Sequence, residues 1–306
     1  MRRVQEQGQP REKHFNRQVG VDSPEVFSLI LNPDGMLAFL RAVRQAARRR
    51  NVYVNLAKVK KITPEAIAAL LAAIHQFRKF GTAISGNVPT DATALKVLNH
   101  SGFRTYVRNS PDFKYPTLVG KITKRNLSGE TFQNHFDQQL AKDLVQFAIG
   151  KMAESGHRPG PSYAVFCEAM LNTWNHASEL VARREPWWAS AYFDAERQRT
   201  CFTFIDQGVG IFKSHSLTMT LNILVALRYL DRGELLKRIL HGEIPSTTRI
   251  PGRGNGLPGM FEHCRAGRIR NFVIISNNTI GYVESNIYKV LPSEFEGTLL
   301  YWEIGS

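Results

Sequence analysis

Glu168-Ala-Met-Leu-Asn172, Asp206-Gln-Gly208-Val-Gly210 and Gly252-Arg-Gly254-Asn-Gly256-Leu257 follow one another in the second half of a chain of 306 residues. Each alone is a short pattern that chance produces often; three in order carry far more weight. The first lies in residues 162–183, where Val165, Phe166, Ala169, Met170 and Trp174 form an apolar stripe at helical spacing. Pro159, Gly160 and Pro161 break the chain ahead of it, and Ser162 suits an N-cap. Glu168, Asn172 and His176 are spaced four apart, so a helix puts them on one strip. A carboxylate and a carboxamide so placed are oxygen donors that can hold a hydrated Mg²⁺ and orient a nucleophile beside phosphate. An isolated pair of this kind is more often a solvated polar face.

The second motif ends a predicted strand, Cys201-Phe-Thr-Phe-Ile205, that runs directly into Asp206. A carboxylate there can accept a hydrogen bond from an exocyclic amine such as the N6 group of adenine. Gly208 and Gly210 remove side chains where backbone must approach a base or ribose. A tight turn after a strand is the plainer alternative. The third motif runs into Leu257-Pro-Gly-Met-Phe261, which reads as a helix entry. A glycine loop feeding a helix N-terminus offers free N–H groups and a positive dipole end, which suit phosphate. Arg249 and Arg253 flank it as candidate γ-phosphate contacts.

Together these motifs resemble those of the GHKL ATPases, the superfamily of gyrase, heat-shock chaperones, histidine kinases and mismatch-repair ATPases. The resemblance covers residues 118–306 and implies a Bergerat-type α/β sandwich with a mixed sheet. By that resemblance Glu168 is the general base and Asn172 the Mg²⁺ ligand, with His176 beside them. Asp206, Gly208 and Gly210 surround adenine, and Gly252, Arg253, Gly254, Gly256 and Leu257 wrap the phosphates. Gly297-Thr298, opening the last strand (Thr298-Leu-Leu-Tyr-Trp302), matches the family's adenine-binding threonine. Residues 211–251 correspond to the ATP lid, lengthened here by helical spacing of Leu, Ile and Val over 217–241. Within the superfamily, Glu168-x-x-x-Asn172-x-x-x-His176-Ala resembles the anti-sigma-factor serine kinases more than gyrase. A histidine-kinase reading is disfavoured, because neither His135 nor His157 sits in a phosphoacceptor context ahead of the ATP domain.

Residues 21–110 predict a strand at Asn51-Val-Tyr-Val-Asn-Leu56, a turn at Ile62-Thr-Pro-Glu-Ala66 and an Ala/Leu-rich helix over 66–78. A second strand, Gly81-Thr-Ala-Ile-Ser85, and a second helix, Ala92 to His100, follow, with Gly102-Phe103 as the stop. The order points to a small α/β layer. It resembles a STAS domain, the fold of anti-sigma-factor antagonists, which are partners of the serine kinases just named. Where that family carries its phosphoacceptor serine, this chain has Thr63-Pro64-Glu65. Glu65 either mimics a phosphoserine or simply favours the first turn of a helix.

The remaining features set limits. Residues 1–20 read as a disordered basic arm and 111–117 as a linker. The longest apolar run, Ala66 to Ile74, is too short for a membrane span, and no secretory signal opens the chain. Three cysteines without metal spacing fit a cytoplasmic protein. The net charge of +14 includes Arg41, Arg44 and Arg48 on one helical face beside Arg49 and Arg50. That patch suits nucleic acid or an acidic partner, although a solvated helix surface is the simpler reading. Trp187-Trp188 reads as core or interface strand.

The function expected from this reading is that of a regulatory protein binding ATP and Mg²⁺. It transfers phosphate to a protein serine or threonine and works with a STAS-type or sigma/anti-sigma-type partner or as a homodimer. The alternatives are an ATP-hydrolysing switch driven by lid closure, and a non-catalytic ATP-binding module.

Overall fold

The computed structural model describes residues 18–79, 81–108, 115–116, 120–125, 138–151, 160–177, 187–214, 231–244 and 256–305. Its N-terminal part contains strands β1 (Val19–Asp22), β2 (Val26–Phe27), β3 (Val52–Asn55), β4 (Lys61–Ile62) and β5 (Ile84–Gly86). Helices α1 (Pro33–Ala47), α2 (Pro64–Lys79), α3 (Ala92–His100) and α4 (Phe103–Arg108) alternate with them. Strands β1, β3 and β5 pair in parallel, and β2 pairs with β4 in parallel. The alternation of strand and helix dictates this, since a parallel pair needs a crossover. Asn32 caps α1 by accepting from the Gly35 N–H, and Asp91 caps α3 by accepting from the Ala94 N–H.

The remaining strands are β6 (Tyr115–Pro116), β7 (Gly120–Arg125), β8 (Trp187–Asp194), β9 (Arg199–Asp206), β10 (Arg270–Tyr282) and β11 (Ile287–Gly305). They form one sheet in the order β10-β11-β9-β8-β7-β6. The mixed sheet expected here is instead antiparallel at every described pairing. Two of these pairings have a local cause: residues 195–198 and 283–286 are tight turns that fold β8 onto β9 and β10 onto β11, and a short turn can join only antiparallel neighbours; β11 with β9 and β7 with β8 pair segments far apart in the chain. Helices α5 (Gln138–Lys151), α6 (Gly160–Ala177), α7 (Ile211–Ser214), α8 (Arg232–Leu240) and α9 (Gly256–Arg265) complete the described elements.

The six-stranded sheet is covered on both faces. Trp187, Phe202, Phe204, Ile274, Leu300 and Trp302 pack with Phe166 of α6, Leu236 of α8 and Met260 of α9. Their neighbours in the pleat, Trp188, Ile205, Ile275, Leu299 and Tyr301, share a core with α1 and α2. Period-two alternation therefore sends one set of side chains to each helical layer. Helix α2 lies between two sheets, and every residue from Ala66 to Ile74 is buried. This accounts for the long Ala/Leu run, because a helix enclosed all round must be apolar all round. Its alanines let the backbone lie close to β8 and β9. Among the described residues no helix is long and apolar enough to cross a membrane.

Candidate functional site

Helix α6 carries the first motif. It starts at Gly160, so Ser162 is not its cap; the serine Oγ instead accepts a bond from the Trp302 indole at 3.0 Å. Phe166 packs edge-on against Phe202 and Trp302, with ring centroids 5.6 and 4.7 Å away. These contacts fix the rotation of α6 about its axis. Ala169 and Met170 are buried, and Glu168 and Asn172 stand at the margin, half-buried. Burial pushes the Glu168 carboxyl above its usual range. His176 continues the helix, but its side chain lies outside the described residues.

Helix α9 begins at Gly256 and packs against α6. A Cβ placed on Gly256 would stand 3.0 Å from Asn172 Nδ2, 3.1 Å from Asn172 Oδ1 and 3.2 Å from Glu168 Oε2. The first and third motifs, some eighty residues apart in sequence, are thus in contact. Leu257 anchors the helix start by burial. Residues 249 and 252–254, including both flanking arginines, lie outside the described residues.

Asp206 ends β9 in the middle of the sheet, opposite Thr298 of β11 and Trp187 of β8. Its Oδ1 accepts the Gly208 N–H at 2.8 Å, and Thr298 donates to the carboxylate from both backbone and side chain. Even so, burial dominates and pushes its pKa up to about 6. Gly210 adopts a left-handed φ of +82°, and a Cβ there would lie 2.4 Å from Asn277 Oδ1. Glycine is required at that point for both reasons.

Thr298 does not open the last strand. β11 already runs from Ile287, and Thr298 follows an irregularity at Gly297, whose φ is +101°. A Cβ on Gly297 would fall 2.0 Å from the Asp206 carbonyl oxygen. The kink lets β11 pass close over the end of β9 and bring Thr298 to the carboxylate.

Two residues absent from the sequence reading shape the same turn. Ser276 Oγ accepts the Ile211 N–H at 2.8 Å and donates to Gly297 O at 3.2 Å. Asn277, at a φ of +52°, donates to Val209 O at 3.2 Å, and its buried Oδ1 has no partner among the described residues. The polar stretch Ser276-Asn-Asn-Thr279 after the apolar Phe272–Ile275 run was the available signal. It coincides with shifts of the β10–β11 register, as expected of a bulge.

The segment expected to form a lid, residues 211–251, is only partly described. Its helix α8 is capped by Asp231 and buries Leu235, Leu236, Ile239 and Leu240 against β10, β11 and α9. This part is a wall of the core; residues 215–230 and 245–251 lie outside the described residues. Of the basic patch, Arg41 and Arg48 are exposed, while Arg44 turns inward to Glu296 at 3.0 Å. Glu65 is buried and accepts bonds from Ser28 and Thr63, so it is unlike an exposed phosphoserine mimic.

The donor set fits Mg²⁺ in kind: Glu168 and Asn172 offer oxygens one helical turn apart, and this ion keeps several water or phosphate ligands. No group of three or more His, Cys, Asp or Glu suited to a metal occurs among the described residues. No family model matches the chain, and no curated protein matches it.

Proposed function

We propose that this chain binds Mg-ATP between α6, α9, the end of β9 and the kink of β11 at Gly297-Thr298, and transfers the γ-phosphoryl group to a protein hydroxyl. One observation carries the reading: the start of α9 at Gly256 stands against Asn172 and Glu168, while Asp206 at the end of β9 meets Thr298 beside the kink of β11. Three motifs far apart in sequence thus supply a base, an oxygen donor, a helix N-terminus and a carboxylate able to accept from adenine. When bound, Mg²⁺ neutralises phosphate charge; Asn172 is the residue that would hold it.

Glu168 takes the proton of the attacking hydroxyl as its oxygen bonds to phosphorus and the bond to the ADP oxygen breaks. A carboxyl raised by burial is better matched to that proton than one in water. The N–H groups at the start of α9 face the phosphates, where the helix dipole favours negative charge. Positioning and charge complementarity supply most of the rate in such a transfer.

The test is calorimetry of the full chain with ATP, with and without Mg²⁺, followed by labelled ATP and candidate hydroxyl-bearing protein partners. Asn172→Ala should remove the Mg-dependent part of the affinity. Glu168→Gln should keep binding and lose transfer by roughly 10²- to 10⁴-fold. Wild-type protein with no measurable nucleotide affinity would refute the reading. Labelled phosphate recovered only in water would replace the kinase by an ATPase.

A further inference from the structure

We infer that the N-terminal layer sets the geometry of the nucleotide's base site through two tethers, with Gln207 as the positioning residue. This deepens the reading above and rests on it. Two of the chain segments around the carboxylate are Asp206-Gln207 and Glu296-Gly297-Thr298. Each is held by a different N-terminal helix. Gln207 Nε2 donates to Ala72 O in the middle of α2 at 3.2 Å. Glu296, next to the kinked Gly297, pairs with Arg44 of α1 at 3.0 Å.

The seam between them is a small cleft lined by Leu37, Leu40, Arg44, Ala72, Gln207 and Glu296. Its position matters because the two segments are nearly in collision. The Gly297 α-carbon already passes so close to Asp206 O that no side chain fits. A shift of α1 or α2 against the sheet therefore moves Gln207 and Glu296 together, and the Asp206–Thr298 pairing with them. Packing this dense transmits displacement instead of absorbing it. Helix α2 is well suited to the task, since it is buried from Ala66 to Ile74 and lies along β8 and β9. Anything that loosens the N-terminal layer from the sheet, or wedges into the seam, lowers affinity for the base while leaving the phosphate end untouched.

The experiment compares full-length wild type, Gln207→Ala, Arg44→Ala, Arg44→Lys and the swap Arg44→Glu/Glu296→Arg. Two ligands are titrated in the presence of Mg²⁺: ATP, and inorganic tripolyphosphate as a probe of the phosphate end alone. Amide exchange at Gly208 and Ile211 is followed without ligand. Gln207→Ala should weaken ATP about fivefold, the scale of one neutral hydrogen bond, with tripolyphosphate unchanged. Arg44→Ala should act in the same direction, and Arg44→Lys and the swap should recover most of the loss. Exchange at both amides should quicken in the two alanine variants.

A merely structural role would weaken both ligands in parallel, and that result overturns the inference. So does unchanged ATP affinity in Gln207→Ala or Arg44→Ala while Asp206→Asn still abolishes it; the nucleotide reading then survives alone. Wild type that binds neither ligand removes the proposed function, and the exchange rates then decide by themselves whether the tethers hold the turn.

Discussion

Asp206→Asn separates the cost of the candidate base site from its use. Burial lifts the Asp206 pKa from 3.8 to about 6 despite bonds from Gly208 and Thr298. Two pH units correspond to roughly 3 kcal/mol between the protonation states, a ceiling here because the side chain keeps some contact with solvent. The folded-state value lies above the unfolded one. The carboxyl's stability contribution is therefore fully present below about pH 4 and lost as pH rises through 6. Asparagine has the same shape and does not titrate, and its oxygen can still accept from Gly208. Variant and wild type should hence differ least in mild acid, and the variant should gain on wild type by about 2 kcal/mol between pH 4.5 and 8. Urea unfolding across that range measures the gap, and ATP titration at pH 8 should show affinity lost in the same variant. Parallel stability profiles would mean that the carboxylate bears no burial penalty, and the argument for a poised base-reading group would fail with it.

Three further outcomes follow from single contacts. Gly256→Ala puts a methyl 3.0–3.2 Å from Asn172 and Glu168; helix propensity should hold or raise stability, while Mg-dependent ATP affinity drops about tenfold, read by calorimetry. Gly297→Ala combines a φ of +101° with a 2.0 Å overlap on the Asp206 carbonyl, so denaturant unfolding should register a loss of about 2 kcal/mol or more; a wild-type midpoint contradicts the close passage of β11 over β9. Glu303, 2% exposed, accepts from Arg197, Arg199, Asn271 and Tyr301, and these partners hold its pKa below the usual range against the opposing effect of burial. Glu303→Gln should cost about 3 kcal/mol at pH 7; because the folded value is depressed, that deficit should shrink as pH falls below the unfolded value of about 4.3 and wild type loses the same bonds.

Local signals were legible wherever one segment decides its own structure. The helix at Ala92–His100, the strand into Asp206 and the helix entry after the glycine motif stand where residue spacing and glycine placed them. Gly210 and Gly256 were visible as positions without side chains, although not what they make room for. Ser162 was misread as a cap because serine favours helix starts, whereas the buried indole of Trp302, distant in sequence, has the stronger claim on its hydroxyl. Thr298 was misread as a strand start because a glycine before a β-prone run signals a boundary as readily as a kink inside a longer strand.

From the amino-acid order alone came the α/β class and the acidic, amide and glycine positions that are candidates for a site, because these depend on periodicity and residue type within one window. The tertiary structure alone decided the antiparallel pairing of β11 with β9 and of β7 with β8, and the meeting of Gly256 with Asn172 and Glu168. It alone also showed that α1 and α2 close the sheet's second face, with Gln207 and Glu296 fastened to them. Contacts between residues tens to hundreds of positions apart are selected by burial and steric fit over the whole chain, and no local pattern encodes them.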